Sequence, residues 1–432
     1  MKQQRLEQAI DFVGTCEGLC PEFEMHEREY QNNVDVLERY PGTTRIDPER
    51  AVKAFHRPAA GNEQPLPSDV RPPHILEATL DYLFHDLLQQ YPLHVTHGFL
   101  RDRTRSVRQD FTMQNVRGPS AIECNERIAR YHVLALGTVR EQISFSESQE
   151  LEQLRKVLKS LNEFYDDARI SNPPIPTPNE PEFRAYNILT HLRDPDIIWS
   201  TELLPTSVFN APIFQTALTL HTLAQRSIIQ RGERASLNAF SRFFKFLSDP
   251  TVPYLFGCIL STHFGEIRKN ALDALRKSYV PQHSSFPART LAKILGCDDE
   301  EEVASMCDAL GLETSIDQGV MVVKLHKGVV IKMDGVIKAK VSQRLVEAKR
   351  GDTSYSEIID GAYYATGDVL SIPPTPSTES PAFFPRARVA SASAPKPAFP
   401  STSAFPSANP SAFSSAFPSS TPSAFPSPAP SA

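Results

Sequence analysis

The residues with the clearest binding chemistry lie at 99–111, where FLRDRTRSVRQDF places four arginines and two aspartates between two aromatic residues. If this segment is helical, Arg101, Arg105 and Arg108 share one face. Asp102 stands three residues before Arg105, at a spacing that allows the two to pair. A guanidinium can bond a carboxylate or several carbonyls and tolerates partial desolvation better than an ammonium group. The segment therefore predicts a structural buckle, meaning a partly buried cluster of charged side chains that joins helices.

Four further residues complete the predicted structural buckle. Arg103 and Asp110 belong to the same segment, and Glu126 and Arg130 stand i, i+4 on the next apolar helix. Two other interpretations remain open, a solvated charge run and an arginine face that contacts RNA. The RNA interpretation is the weaker one, because Asp102 and Asp110 neutralise charge that a phosphate-binding strip would keep.

Cys16 and Cys20, with His26 close behind, raise the question of a zinc site. Only three soft ligands are nearby, and no second cysteine pair follows. We therefore expect structural cysteines in a tight turn, with no metal and no cofactor.

Enzyme motifs are not found in the sequence. There is no glycine-rich phosphate loop, nucleophile elbow, HExxH motif or recognisable carboxylate pair. His132, beside a tyrosine on an apolar helix, is typical of a core histidine. We expect a protein that binds and positions other molecules and catalyses no reaction.

Composition limits the class of protein. The 432 residues carry a net charge of −6, so any nucleic-acid binding must come from a local patch. Six scattered cysteines indicate a reducing compartment, the nucleus or the cytoplasm. The N-terminus has no signal-peptide core and no run of 18 apolar residues occurs, so we expect no membrane insertion.

The apolar pattern predicts a mainly α fold. Residues 1–75 are interrupted by prolines and predict an irregular arm. Residues 76–283 predict paired amphipathic helices that stack as divergent repeats in a TPR-like α-solenoid. Helices are expected around 76–88 and 151–165. Another helix should follow the proline-rich break at 171–180, where Asn179 and Glu182 resemble a cap. Three more are expected at 211–229, 235–247 and 264–279.

Residues 284–350 predict a C-terminal winged helix. Helices are expected at 289–295 and 300–310, the second ended by Gly311. Two β-branched runs follow, 320–325 and 329–333, joined at His326-Lys327-Gly328, and predict a two-stranded ribbon. Helix, helix and ribbon is the order of a winged helix.

The winged-helix segment is rich in lysine and arginine. A basic wing can neutralise phosphates while reading little sequence. Alternatively, lysines on exposed strand edges act mainly against aggregation. The residues predicted to bind nucleic acid are Lys324, Lys327, Lys332, Lys338, Lys340 and Arg344.

Residues 351–432 predict a linker and a disordered tail. Beyond residue 371 the chain consists largely of Ser, Pro, Ala and Phe, and Ala-Phe-Pro-Ser recurs at 398–401, 404–407, 416–419 and 424–427. Separate phenylalanines on a polar chain suit multivalent weak binding. In this respect the tail resembles the phenylalanine-glycine repeats that engage nuclear transport receptors.

Four blocks of sequence resemble the SAC/GANP family of messenger-RNA export scaffolds. They are GTCEGLCP at 14–21, RPAA at 57–60 with LP at 66–67 and VRP at 70–72, the arginine segment at 99–111, and Glu126 with RYH at 130–132. The resemblance covers roughly residues 12–350. One departure is Leu19, where the family often has methionine, a change that conserves volume.

The resemblance implies a PCI-type scaffold in a nuclear-pore-associated transcription-and-export (TREX-type) complex. It implies a PCI-domain partner beside the winged helix, a small acidic DSS-type protein bracing that partner, and messenger RNA on a composite surface. The expected location is the nucleus at the pore, with the cytoplasm as a second location. Shorter relatives act in transcription elongation and splicing or at the centrosome and spindle, and this remains the alternative. The long C-terminal helix of export scaffolds is not found, which suggests a short paralogue or an incomplete gene model.

Overall fold

Apolar residues at helical spacing form the buried stripes of a mainly helical protein, which confirms the predicted fold class. The structure is a computed structural model, and all of its described residues fall in one compact unit. The described residues are 12–57, 65–194, 196–228, 239–278 and 285–361. The predicted disordered tail and the RPAA residues after Arg57 lie outside these ranges.

The first half of the described chain holds an irregular arm and the longest helices. Proline begins α2 and α5, where its missing N–H has no helical partner to lose. A π-helical segment, Tyr82–Leu87, connects α2 to α3. The helices are α1 (Glu22–Tyr30), α2 (Pro73–Asp81), α3 (Leu88–Gln90), α4 (Leu93–Met113), α5 (Pro119–Thr138), α6 (Glu147–Ile170) and α7 (Glu180–Thr190).

Shorter helices follow. The helices predicted at 211–229 and 264–279 are present within one residue, and 235–247 is helical from Phe240, with 235–238 outside the described residues. Helix α12, which is buried along its whole length, was not predicted. The elements are α8 (Asp196–Thr201), α9 (Thr206–Phe209), α10 (Pro212–Ile228), α11 (Phe240–Leu247), α12 (Tyr254–Ser261), α13 (Phe264–Ser278), α14 (Ala288–Leu295), α15 (Glu300–Ala309) and α16 (Tyr355–Ile359).

Helix α5 lies at the centre of the core. It packs against α4 and α6 on either side in the sequence and against the distant α12. Helix α7 in turn packs on α6 and α10. Neighbouring helices thus bury one another's apolar stripes, as stacked helical pairs do. Within the described part of the chain, no helix is both long and apolar enough to span a bilayer.

The C-terminal sheet has three short antiparallel strands in the order β1 (Ser285–Pro287), β3 (Val320–Lys324), β2 (Thr314–Asp317). Helices α14 and α15 lie between β1 and β2 in sequence, which gives the helix, helix and wing order of a winged helix. The hairpin turns at Gln318 and Gly319, whose φ values of 47° and 79° suit the tight turn that right-twisted strands require.

One predicted strand is wrong. The run at 329–333 is not paired in the sheet, and the partner of β3 is the more polar segment Thr314–Asp317. The amide of Lys332 donates to the carbonyl of Leu310 at 2.9 Å, and Arg276 Nη1 on α13 donates to the carbonyl of Val329 at 3.0 Å. These contacts use the backbone groups that a strand would give to a ladder.

The cap predicted for α7 is also wrong. Asn179 is helical in conformation and does not cap the helix through its side chain. The side-chain Nδ2 of Asn179 instead donates to Glu126 Oε2 at 2.7 Å, and the carboxylate of Glu182 binds Arg130. Charged partners hold both side chains more strongly than a neutral cap would.

Candidate functional site

The inner face of α4 carries a buried aspartate with two cationic partners. Asp110 lies 2.6 Å from Lys53 Nζ and 2.8 Å from Arg71 Nε, measured from its two carboxylate oxygens. Arg71 is fully buried and also donates to Ser106 Oγ at 2.9 Å and to the carbonyl of Leu19 at 3.2 Å. These bonds fasten the irregular arm to α4.

A second buried carboxylate belongs to the arm. Glu38 accepts from Arg28 Nη1 at 2.7 Å and from Arg103 Nη2 at 2.9 Å. Its other oxygen accepts the amide of Val52 at 2.8 Å. Because Glu38 is fully buried, its bonds to two guanidiniums and an amide compensate for lost hydration.

Asp102 does not pair with Arg105 as predicted. Among the described residues, its carboxylate accepts from the amide of Phe55 at 3.1 Å and forms a close ion pair with Arg103. The guanidinium of Arg105 lies instead over the ring of Phe55, 3.9 Å from its centroid.

The arginines of the segment therefore divide between two sides of α4. Arg103 and Asp110 face the arm, whereas Arg101 lies farther out and donates to Gln149 on α6 at 3.2 Å. Arg105 and Arg108 line a separate pocket.

Glu126 and Arg130 form a second cluster, away from the arm. Arg130 holds Glu182 through two bonds, Nε to Oε1 at 2.8 Å and Nη2 to Oε2 at 2.7 Å. Glu126 accepts the hydroxyl of Tyr165 at 2.7 Å and the amide of Asn179. This cluster ties α5 to α6 and to the start of α7.

His132 is a core residue in contact with a buried carboxylate. Its Nδ1 lies 2.6 Å from Glu150, whose other oxygen lies 3.0 Å from His97 Nε2. Burial lowers the pKa of His132. Burial alone would raise the pKa of Glu150, but the bonds and charge of His132 and His97 lower it to about 2. The arrangement keeps a carboxylate ionised inside the helical stack.

The cysteines of the arm make hydrogen bonds within the arm. Cys16 Sγ donates to the carbonyl of Gly18 at 3.4 Å, and Cys20 Sγ accepts from Arg28 Nη2 at 3.3 Å. Burial raises the pKa of Cys20 to about 12. The ring of His26 is exposed beside Glu22. Over the described ranges, no three His, Cys, Asp or Glu side chains are grouped as metal ligands.

The six basic residues predicted to contact nucleic acid lie in or after the wing, and the structure separates them into two groups. Lys324 pairs with Glu313 at 2.7 Å and Lys340 with Asp299 at 3.4 Å. The other four, exposed and with no acidic partner within 4.0 Å among the described side chains, are Lys327, Lys332, Lys338 and Arg344.

Three apolar side chains in and after the wing are exposed. Strand β2 is at one edge of the sheet, and Ile316 on it is 78% exposed. Val330 and Val336, in the segment after the wing, are 79% and 85% exposed. These three exposed β-branched side chains lie in or next to the winged helix.

Sequence reasoning missed the arm's side of the charge network. Lys53, Arg71, Glu38 and Arg28 lie tens of residues from α4 and follow no period with it. The available signal was that Arg71 stands in one of the four blocks that carried the resemblance. Block order alone does not state which residues meet.

Stacked helices, a terminal winged helix and charge clusters that hold the protein's own segments together define a mainly helical, winged-helix protein. The chain belongs to the SAC3/GANP family, whose model matches residues 19–316. The resemblance stated from the four blocks is confirmed.

Three relatives illustrate the match. The chain is 48% identical over 374 residues to SAC3 family protein 1 of Schizosaccharomyces pombe, covering 84% of this chain and 36% of that protein. It is 30% identical over 362 residues to Protein xmas of Drosophila melanogaster, covering 81% and 16%. It is 29% identical over 365 residues to SAC3 family protein B of Arabidopsis thaliana, covering 82% and 20%. The chain spans about a third or less of these curated relatives.

Proposed function

We propose that this protein is a non-enzymatic scaffold that supports messenger-RNA export as part of a TREX-type complex at the nuclear pore. Family membership over residues 19–316 supports a scaffold role with nuclear association. The scaffold pairs its winged helix with that of a PCI-domain protein and contacts RNA through the joined surface. A small acidic DSS-type protein braces the partner.

The observation that carries the proposal is the open edge of the sheet at β2, with Ile316 exposed on it. An edge strand offers unpaired backbone groups to a neighbouring strand. Ile316, on the edge strand β2, adds an exposed side chain, and Val320, 47% exposed, lies at the hairpin end of the central strand β3. A second winged helix placed side by side covers these groups and extends the sheet.

Affinity purification from the native cells tests the partner. We expect a PCI-domain protein and pore components to co-purify with the tagged chain, identified by mass spectrometry. Ile316→Asp should lose the PCI protein at unchanged thermal stability, because the side chain makes few internal contacts. Ile170→Asp is the control, since Ile170 is 81% exposed at the end of α6. Retention of the PCI protein by Ile316→Asp contradicts the pairing.

The RNA surface is tested separately. Lys327, Lys332 and Lys338 have no acidic partner within reach among the described residues, so reversing them to glutamate removes unneutralised charge. A plot of log affinity against log salt concentration has a negative slope. For single-stranded RNA, the loss of three phosphate contacts should make that slope shallower by about 2. The matched control replaces three exposed lysines and arginines of α6 with glutamate. An unchanged slope in the wing variant removes RNA from the proposal.

The tail, residues 362–432, lies outside the described residues, and its proposed role rests on its sequence. Its repeated Ala-Phe-Pro-Ser units are proposed to bind nuclear transport receptors weakly and additively. Deletion of residues 380–432 should abolish receptor capture in a pull-down while leaving the PCI partner bound. Capture that survives the deletion excludes the tail.

A further inference from the structure

A cationic pocket lies beside α4, with Phe55 of the arm at one of its walls. It has a volume of about 360 Å³ and opens between α4 and α6. Arg105 and Arg108 enter it from α4, and Lys156 lines it from α6. Its apolar walls are Phe55, Phe111, Met113 and Phe164. No part of the export scaffold proposal uses this pocket.

Arg108 has no counter-charge among the described residues. Its Nη1 is buried and has no hydrogen-bond partner among the described residues, and no described carboxylate lies within 4.0 Å of it. Burial, followed by the neighbouring charge of Arg105, lowers the pKa of Arg108 to about 10. By contrast, Arg71, Arg103 and Arg130 on nearby elements each hold a carboxylate. A buried guanidinium nitrogen left unpaired, such as Arg108 Nη1, is costly, and the cost is recovered when an anion binds.

The charge of the pocket is doubly positive. The described residues that line it include no aspartate or glutamate. Lys156 is already neutralised at the exposed rim by Glu152, 2.5 Å away. Asp102, the acid nearest to Arg105 along α4, is used by Arg103 and by the amide of Phe55. Within the described part of the chain, Arg105 and Arg108 therefore remain without an ion pair, as two positive charges beside aromatic walls.

We propose that this pocket binds a phosphorylated serine or threonine in a segment of a partner protein. A phosphomonoester carries a charge of about −1.5 to −2 at pH 7, which matches the two unneutralised guanidiniums. Arginine forks bond phosphate oxygens in pairs, and Arg108 has a free fork for this contact. The neighbouring apolar side chain of the partner packs against Phe164 and Met113. An RNA backbone is a poorer match, since each phosphodiester carries one charge and has no apolar side chain to bury.

Fluorescence anisotropy with three labelled probes tests the site. The probes are Ala-Leu-pSer-Leu-Ala, the same peptide with glutamate in place of phosphoserine, and a ten-nucleotide RNA. The full chain should bind the phosphopeptide at least tenfold more tightly than the glutamate peptide. Arg108→Gln should weaken phosphopeptide binding at least tenfold. Arg101→Gln, the same change on the outer part of α4, should leave it within twofold.

Thermal unfolding separates a binding role from a structural one. Because Arg108 has no described partner to lose, Arg108→Gln should leave the melting temperature unchanged or raise it. Inorganic phosphate should raise the melting temperature of the unmodified chain more than that of the variant. A lower melting temperature for Arg108→Gln makes the residue structural and overturns the proposal. So does equal binding of the phosphorylated and glutamate peptides, or a loss on substitution that affects only the RNA.

Discussion

Arg71 Nε and Asp110 Oδ2 lie 2.8 Å apart, and neither side chain is exposed to solvent. Arg71 ends the irregular arm just before α2, and Asp110 lies near the end of α4. The pair brings together two segments that are 39 residues apart. Because both charges are buried, each compensates for the lost hydration of the other. Separating the arm from α4 would leave at least one of them buried and unpaired, or would expose it to solvent.

Asp110→Asn should strongly destabilise the protein. The substitution leaves Lys53 and Arg71 buried without a counter-charge, a change that typically costs about 3–5 kcal/mol. Chemical denaturation measures the difference in the free energy of unfolding. The control is Asp167→Asn, whose partner Arg117 is 49% exposed, and which should cost less than about 1 kcal/mol. Equal losses in the two variants would mean that the buried pair has no special role.

Glu38→Gln should loosen the arm selectively. A neutral amide cannot balance the guanidiniums of Arg28 and Arg103, which both bond to Glu38 Oε2. We expect cleavage by a protease within residues 12–57 to speed up about tenfold, with cleavage of the helical stack nearly unchanged. Mass spectrometry of the fragments over time measures both. Glu29→Gln is the control, because its partner Arg45 is 79% exposed.

The helices could be predicted from the sequence because apolar spacing is a local signal. The predicted helices at 211–229 and 264–279 agree with α10 and α13 within a residue. The strand at 320–325 was also predicted, but its partner was not, since the β-branched run at 329–333 resembles a strand more than Thr314–Asp317 does. Its backbone is taken up by Leu310 and by Arg276 of α13, contacts set by tertiary packing rather than local propensity.

The charge network illustrates the same limit. The segment at 99–111 was recognisable as a cluster of arginine and aspartate, which predicted buried pairing in general terms. Its actual partners, Glu38, Lys53 and Arg71, depend on how an arm without periodicity lies across α4. Local spacing favoured a pair between Asp102 and Arg105, but the carboxylate of Asp102 instead bonds to the backbone amide of Phe55 and to Arg103.

Lowering the pH should destabilise the protein through His221. Burial alone lowers the pKa of His221 to about 4, and its Nε2 has no hydrogen-bond partner among the described residues. The unfolded chain, with a histidine pKa near 6.5, binds the proton more readily, so stability falls as the pH drops below about 6.5. Between pH 7 and pH 5 this residue should account for about 2 kcal/mol.

Comparison with His221→Gln isolates that contribution. The variant has no proton to take up at this position, so its free energy of unfolding should fall by about 2 kcal/mol less over the same pH range. Denaturation with urea at four pH values measures both proteins. Parallel pH dependences would assign the acid sensitivity to other groups, such as His263, whose pKa burial also lowers to about 4.

Gly137→Ala should destabilise the contact between α5 and α12. A Cβ at this position would lie 2.5 Å from Cys258 Sγ and 2.8 Å from Cys258 Cβ, closer than packed atoms approach. Overpacking of this kind typically costs about 1–3 kcal/mol, more than the helix propensity gained by alanine. Moving the glycine across the contact, in the double variant Gly137→Ala with Cys258→Gly, removes both close atoms. The double variant should therefore be more stable than the sum of the single changes by about 0.5–3 kcal/mol, measured by chemical denaturation as a double-mutant cycle. If the losses of the two single variants simply add, positions 137 and 258 are not coupled and the close contact is not the cause of the destabilisation.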